Sequence, residues 1–576
     1  MTKSARGCLL AAMAMVFVLV LISAVILLAG GVQRGSVLQV TLSGEIVEDA
    51  DDSFMTRLLV GRPTLLREIL FAIDTARTDK NVTGLMVTLR SNTMGLAKIQ
   101  DVRDAVLAFR DSGKWTHLYM DGAGEFSGGN SMYYLATAFD DITLSPAGDL
   151  NLYGLFGSTT FMRGLFDKIG VYPDMDSIGK YKNAKDIYTE KKMTAAHREA
   201  TTAYLQDWLD QITAGIAQSR RITPEQARAH IDAGPFTAEQ ALERGLVDHL
   251  AYEDEYEEAA RQRNGGNLSQ VKYREYLSRG QSHGRQRIAV ITGMGVIING
   301  HSVNDPWAGT IMGSRTVVEA FREAREDHGI KAIVFRVDSP GGSALASDLV
   351  WRETQLARRS KPVIISMSDV AASGGYYVAA GATKIVAQPG TVTGSIGVVS
   401  GKLVTEGLYD LLGLTRDTIQ LGNHASFYYT GRRYSAEEKE IYWRIMNKIY
   451  GQFTTRVAEG RGMSAEDVDK IGQGRVWTGA RAKDLGLVDE LGGFIRAVEV
   501  AKKEAGIPET QRVRLVFLPE KPSMWDQFFG GGEEEETSAR LELPADMVRA
   551  LRQAGRMVAL SRERAILLEP DLVGAP

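Results

Sequence analysis

Two short segments of the chain carry residues that could together activate a nucleophile. Ser373 lies among small residues in the segment Ala371–Tyr377, and Lys182 lies in the segment Gly179–Ala184. When the two halves of the chain are aligned, Lys182 falls opposite Ala425, so each half keeps a candidate group that the other lacks. A duplicated enzyme with its nucleophile in one copy and its base in the other would have this pattern. The residues therefore predict a hydrolase that pairs serine with lysine.

The identity of the base rests on weaker signals than the identity of the nucleophile. Lysine can accept the serine proton if burial favours its neutral form, whereas most lysines are solvated at the surface. Lys180 and Lys185 flank Lys182 and stay open as alternatives. His424 lies in the segment that aligns with the lysine region, and it is the alternative base if the pair is serine with histidine.

Glycines in the second half could supply an oxyanion hole. Gly341 and Gly342 lie in the segment Asp338–Ser343, between a predicted strand and a predicted helix. Glycine lets the backbone approach a ligand closely, and N–H groups at a helix start favour a developing anion. The N–H of Gly374 is a candidate second donor. The alternative interpretations are a tight strand–helix turn for the glycines and a helix N-cap for Ser373.

The first half lacks the equivalent glycine segment. Asn92–Gly95 stands where the second half has Ser339–Gly342. Ser127 begins another Ser-Gly-Gly sequence in the first half, and we interpret it as a remnant of a lost site.

The elements that must position these residues are duplicated. Matching segments recur in the same order, roughly 240–250 positions apart. The pairs are Leu85–Val87 with Ala332–Val334, Ser127–Gly129 with Ser373–Gly375, Gly179 with Gly422, and Gly245–Asp248 with Gly486–Asp489. Within each half, short apolar segments typical of buried strands alternate with segments of helical periodicity. This alternation predicts an α/β fold of two tandem copies, each with a mainly parallel sheet covered on both faces.

The N-terminus predicts a membrane anchor. Residues 8–30 carry no charge and are long enough to cross a bilayer, which takes roughly 20 residues. Lys3 and Arg6 precede this segment, so the positive-inside rule places the N-terminus in the cytoplasm and the chain after Arg34 outside. A cleaved signal peptide is the alternative, although its apolar region is usually shorter.

Composition excludes several other classes of protein. The 576 residues are 44% hydrophobic and 24% charged, and the net charge of −4 is too small to indicate a nucleic-acid partner. Cys8 is the single cysteine, and none of the 8 histidines has the spacing of a metal site, so we expect neither a metal nor another cofactor. The predicted regions are a cytoplasmic tip and transmembrane anchor (1–34), a first copy (35–260), a linker (261–282), a second copy (283–529), and a flexible acidic linker with a helical tail (530–576).

Together, the motifs resemble the signal peptide peptidase A family. The resemblance is carried by Ser339–Gly342, Ala372–Tyr376 and Thr393–Val398 in the second half. Gly179–Lys182 and the duplication are similar to the long bacterial form of that family. The resemblance extends roughly from residue 37 to residue 529 and does not include the tail.

The resemblance implies a fold related to Clp proteases and crotonases, together with roles for particular residues. It makes Ser373 the nucleophile, Lys182 the general base and Ser395 a serine that orients the lysine. The implied oxyanion donors are Gly341, Gly342 and Gly374.

The resemblance also implies a location, a substrate and an assembly. The protein would be a single-pass, homotetrameric serine endopeptidase of the bacterial inner membrane, with its catalytic region in the periplasm. Its substrates would be hydrophobic signal peptides left in the membrane after preprotein processing. Serine and lysine from each chain would meet inside the assembly. The alternatives are a non-catalytic membrane scaffold of the same fold and a crotonase-like enzyme acting on acyl-CoA.

Overall fold

In a computed structural model of the chain, the residues described are 15, 31–50, 62–124, 128–279, 284–305, 309–519 and 566–568. The strands are β1 (Ser36–Gly44), β2 (Ile46–Val47), β3 (Thr64–Leu65), β4 (Val82–Asn92), β5 (Trp115–Met120), β6 (Asp141–Leu144), β7 (Asp149–Leu150), β8 (Tyr172–Ile178), β9 (Phe236–Thr237), β10 (His249–Leu250), β11 (Ser269–Lys272), β12 (Gln286–Met294), β13 (Val296–Ile298), β14 (Val303–Asp305), β15 (Gly309–Gly313), β16 (Ile330–Ser339), β17 (Gly341–Ser343), β18 (Val363–Ala372), β19 (Lys384–Ala387), β20 (Val392–Gly394), β21 (Val398–Val404), β22 (Val476–Thr478), β23 (Glu490–Leu491), β24 (Val513–Leu518) and β25 (Ile566–Leu568).

The helices connect and cover these strands. They are α1 (Leu66–Thr78), α2 (Leu96–Asp111), α3 (Asn130–Ala136), α4 (Arg163–Lys168), α5 (Asp186–Thr189), α6 (Ala195–Arg220), α7 (Pro224–Ala233), α8 (Ala238–Glu243), α9 (Glu253–Arg263), α10 (Tyr273–Ser278), α11 (Ser314–Glu326), α12 (Ala344–Arg358), α13 (Gly374–Ala379), α14 (Glu406–Leu411), α15 (Ala436–Arg461), α16 (Ala465–Ile471), α17 (Gly479–Asp484) and α18 (Phe494–Glu504). A short 3-10 helix covers Asn183–Lys185.

Each half is built on a parallel sheet with the same strand order. The first sheet runs β10-β6-β5-β4-β1-β11, and all of its pairs are parallel. The second contains the matching order β23-β19-β18-β16-β12-β24, with β20 and then β22 continuing from β18. The central strands β4 and β16 are buried along most of their length, which explains their continuous apolar sequences. The predicted α/β fold with parallel sheets is confirmed, and the matching orders agree with two tandem copies.

The predicted linker at residues 261–282 is wrong. The last residues of α9, strand β11 and helix α10 lie in this range, and β11 pairs in parallel with β1 as the edge strand of the first sheet. It is the counterpart of β24 in the second sheet. The sequence is polar there because only Val271 of this edge strand is buried, while Gly265 and Gly266 form the preceding turn with φ of 74° and 87°.

A third sheet joins the two halves next to the ends of β16 and β18. Its order is β14-β15-β13-β17-β25-β21-β8. Strand β8 belongs to the first half, and it pairs antiparallel with β21 of the second half from Val404↔Tyr172 to Val398↔Ile178. The segment of chain that follows β8 therefore lies against the second half.

Several predicted features fall largely on residues that the structure does not describe. These are the anchor at residues 8–30 apart from residue 15, Ser127, and the tail at 530–576 apart from β25. Within the described ranges, no helix has the length and apolar character needed to cross a bilayer.

Candidate active site

Ser373 lies at a strained turn between β18 and α13. Its backbone has φ of 54° and ψ of −114°, a left-handed conformation that is uncommon for a residue with a side chain. The Ser373 N–H donates to the carbonyl oxygen of Gly394 at 2.8 Å, and its own carbonyl accepts from Tyr377 N–H at 2.9 Å. The residue is fully buried. The turn therefore fixes the serine at the carboxyl end of the second sheet.

Lys182 contacts Ser373 within the same chain. Its Nζ atom donates to Ser373 Oγ at 2.9 Å, to Ser395 Oγ at 2.8 Å and to the Ser395 carbonyl at 3.2 Å. Only 1% of Lys182 is exposed. Burial in general disfavours the ammonium form of a lysine, and the neutral form is the one that a base at this position needs. The structure thus brings together the predicted nucleophile, base and lysine-orienting serine.

Two close backbone contacts hold the lysine turn in place. Gly179 has φ of 111°, and a Cβ atom there would lie 2.4 Å from the carbonyl carbon of Gln473. A Cβ on Gly474 would lie 2.5 Å from Lys182 Cβ. Both positions therefore require glycine. Gln473 and Gly474 are not among the residues predicted from the sequence, although the Gly-Gln-Gly sequence at 472–474 indicates a tight turn there.

The alternative bases lie elsewhere. The Lys180 side chain is 63% exposed, and Lys185 forms an ion pair at 3.2 Å with the next residue along the chain. The His424 side chain is 43% exposed and faces a surface carboxylate at 3.7 Å. Of the four candidates, Lys182 is the one that forms a hydrogen bond with Ser373.

The three glycines that we predicted as oxyanion donors lie close together, at the point where two loops meet. A Cβ on Gly374 would lie 3.1 Å from both Gly341 Cα and Gly342 N. Gly341 has φ of 104° and Gly342 has φ of 158°, and both backbone conformations favour glycine. Gly341 N–H donates to Ser339 Oγ at 3.1 Å, which adds Ser339 to the residues that shape this loop.

A strand lies directly beside these glycines. Strand β25 pairs antiparallel with β17, with Gly341 opposite Leu568 and Gly342 opposite Leu567, and it also pairs with β21 at Val399. An extended segment of chain therefore fits between β17 and β21. Addition of a strand to a sheet is a common way for proteins to bind peptides.

Comparisons with known proteins agree with a duplicated peptidase. The family model of peptidase family S49 matches residues 108–266 and 355–508, one region in each half. The chain is 34% identical over 503 residues to "Serine protease SPPA, chloroplastic" of Arabidopsis thaliana, covering 84% of this chain and 72% of that protein. It is 33% identical over 476 residues to "Protease 4" of Salmonella typhi, covering 80% and 75%.

Among solved structures, the chain is similar to a point mutant of ClpP1 from Listeria monocytogenes. The TM-score is 0.24 at 15% identity, and the match covers 36% of this chain and 94% of that chain. The relation of each copy to Clp proteases and crotonases stays a prediction.

Proposed function

The chain belongs to peptidase family S49 and is a serine protease, and we propose that Ser373 is its nucleophile and Lys182 its general base. The observation that carries this proposal is the 2.9 Å hydrogen bond between the buried Lys182 Nζ and Ser373 Oγ. Family membership also argues against the two alternatives, a non-catalytic scaffold and an acyl-CoA enzyme.

The proposed reaction proceeds through an acyl-enzyme. Neutral Lys182 accepts the Ser373 hydroxyl proton as Oγ attacks the scissile carbonyl, and N–H groups of Gly341, Gly342 and Gly374 are the candidate donors to the oxyanion. The protonated lysine then gives its proton to the leaving amine as the peptide bond breaks. In the second step Lys182 takes a proton from water, the hydroxide attacks the ester, and Ser373 regains its proton. Ser395 holds the amine in position by accepting a separate Nζ proton.

We propose extended, apolar peptides as substrates, in particular signal peptides left after preprotein processing. The pairing of β25 along Gly341–Ser343 supports a peptide-binding edge at this position. The uncharged segment 8–30 supports an anchor in the bacterial inner membrane, with the catalytic region in the periplasm. Exposed leucines at 411, 412 and 414 support association with further copies, as in a homotetramer.

Labelling by a fluorophosphonate, which reacts with activated serines, tests the proposal on the full chain in detergent micelles. The wild type is expected to be labelled and to cleave an apolar 20-residue peptide in preference to a polar one of equal length. Ser373→Ala is expected to lose both properties. Ser314→Ala is the matched control, because Ser314 is also buried in the second half but bonds to Asn299 rather than to the lysine. Persistent labelling of Ser373→Ala would rule out this nucleophile.

A substrate that pairs with β17 must take the place of β25. Proline has no N–H to donate in a sheet, so Leu567→Pro is expected to free this edge and lower KM by about 3–10-fold with little change in kcat. Leu567→Ala keeps the N–H and serves as the control. Steady-state kinetics on a soluble fluorogenic peptide measure both constants. Equal KM values for Leu567→Pro and the wild type would show that substrates do not compete with this strand.

A further inference from the structure

A lysine of the first half bridges two carboxylates of the second half beside the candidate active site. Lys98, on α2, donates from Nζ to Asp338 Oδ2 at 2.7 Å and lies 3.2 Å from Asp369 Oδ2. The three side chains are 11%, 15% and 18% exposed, respectively. A mostly buried cation thus joins the ends of β16 and β18.

The two carboxylates stand at the start of the two loops that carry the chemistry. Asp338 directly precedes the Ser339–Gly342 loop, and Asp369 lies near the end of the strand that leads into Ser373. Asp338 Oδ1 also accepts the N–H of Val370 at 3.1 Å, which ties the strand ends to each other. The separation of the oxyanion loop from the nucleophile therefore depends on this cluster.

The first half contributes backbone groups as well as the lysine. Gly95 N–H donates to Asp369 Oδ2 at 3.2 Å, and Lys98 N–H donates to Asp369 Oδ1 at 3.0 Å, so Asp369 accepts the free N–H groups at the start of α2. A Cβ on Gly95 would lie 2.5 Å from Asp369 Cγ, so a larger residue would push the carboxylate away. Gly95 ends the segment that replaces the oxyanion glycines in the first copy.

We propose that Lys98 is a positioning residue for peptide hydrolysis, which holds the Gly341–Gly342 loop and the Ser373 turn at their working separation. The segment in which the first copy lost its own oxyanion glycines has become the anchor for the catalytic loops of the second copy. This inference rests on the proposed function of Ser373, and it assigns the first half a second contribution besides Lys182.

The charges in the cluster explain why the lysine cannot be removed without effect. Burial lowers the pKa of Lys98, but the carboxylates of Asp338, Asp369 and Glu48 together outweigh it and raise that pKa above its ordinary value, so the amine stays charged. Without the cation, two neighbouring carboxylates repel each other at the base of the two loops. Shifts of about 1 Å in a catalytic group can lower rates about 100-fold.

Steady-state kinetics of Lys98→Met, Lys98→Arg and Lys361→Met in the full chain test the proposal. Lys98→Met is expected to lower kcat about 10–100-fold and to change KM less than about threefold, because a shift of the oxyanion donors relative to Ser373 weakens mainly the stabilisation of the transition state. Lys98→Arg, which keeps the charge, is expected to restore kcat to within about fivefold of the wild type. Lys361 bonds to the carbonyl of Ala324 near the opposite end of β18, so its loss is expected to leave kcat unchanged.

Melting temperature and fluorophosphonate labelling separate the possible outcomes. A folded Lys98→Met protein with wild-type kcat and labelling rate would overturn the positioning role. Equal decreases of kcat in Lys98→Met and Lys361→Met would overturn it as well. If Lys98→Met does not fold, Asp369→Asn is the second variant, and an unchanged kcat in that variant overturns the role. If the wild type itself is not labelled at Ser373, the proposed function fails instead.

Discussion

Replacing Lys182 with methionine is expected to lower kcat/KM by about 10³–10⁴-fold, since a general base contributes up to about that factor. Methionine fills a similar volume but has no basic nitrogen, so the Ser373 hydroxyl loses the group that accepts its proton. The active-serine probe should then label Ser373 far more slowly. Peptide hydrolysis and labelling rates on the same preparation measure the effect.

Lys180→Met is the matched control for this substitution. Lys180 is two residues from Lys182 but is exposed, and we expect its loss to change kcat/KM less than about twofold. The pH profile supplies an independent test, because a base must be neutral to act: kcat/KM should fall as the pH is lowered. Wild-type activity that is flat from about pH 5 to pH 9, or full activity in Lys182→Met, would contradict the role of this lysine.

The sequence was sufficient to predict the candidate dyad because its residues lie in locally distinctive segments. Ser373 follows a predicted buried strand and is surrounded by small residues, whereas the choice of Lys182 over Lys180 and Lys185 came from the family resemblance together with the comparison of the two copies. The parallel sheets were predicted from continuous apolar segments, which are also a local feature of the sequence. The predictions of the serine and of the sheets needed only the pattern of one segment or its repetition, and the choice of the lysine also needed the family resemblance.

Contacts between distant segments could not be predicted in this way. Nothing in the sequence of β8 shows that it leaves its own half to pair with β21, although this pairing delivers Lys182 to Ser373. Lys98, Asp338 and Asp369 are far apart along the chain, and each looks like an ordinary surface charge when taken singly. The role of these three residues depends on how the two halves pack against each other. The pattern of a single segment holds no information about that packing.

The docking of the two halves also depends on a buried arginine. Arg336 is 2% exposed, and its Nη2 donates to Glu48 Oε1 at 2.6 Å and to Asp101 Oδ2 at 2.7 Å. Both carboxylates belong to the first half. Burial raises the pKa of Asp101 to about 6 against the opposing effect of Arg336. For Glu48, burial raises the pKa, but Arg336 together with Lys98 and Ser368 lowers it below its ordinary value. In this cluster, the cost of removing the charged groups from water is opposed by the attraction between the arginine and the two carboxylates.

Arg336→Met is expected to destabilise the protein by about 3–5 kcal/mol, because it leaves two buried carboxylates without their cation. Without Arg336, the folded-state pKa of Glu48 should rise above its unfolded value, and that of Asp101, which is already raised, should rise further. Such groups destabilise the folded state increasingly as the pH rises, so the loss in melting temperature should be larger at pH 7 than near pH 5.

Two further variants show whether charge or packing causes this loss. Arg287→Met breaks a half-exposed pair with Asp327 and is expected to cost at most about 1 kcal/mol. Adding Glu48→Gln and Asp101→Asn to Arg336→Met removes the unpaired charges and should recover much of the melting temperature. If instead the triple variant melts no higher than Arg336→Met, and the deficit is the same at both pH values, the arginine acts through its volume. The junction would then be held by packing such as the edge-on contact of Phe71 with Phe494 at 5.5 Å rather than by charge.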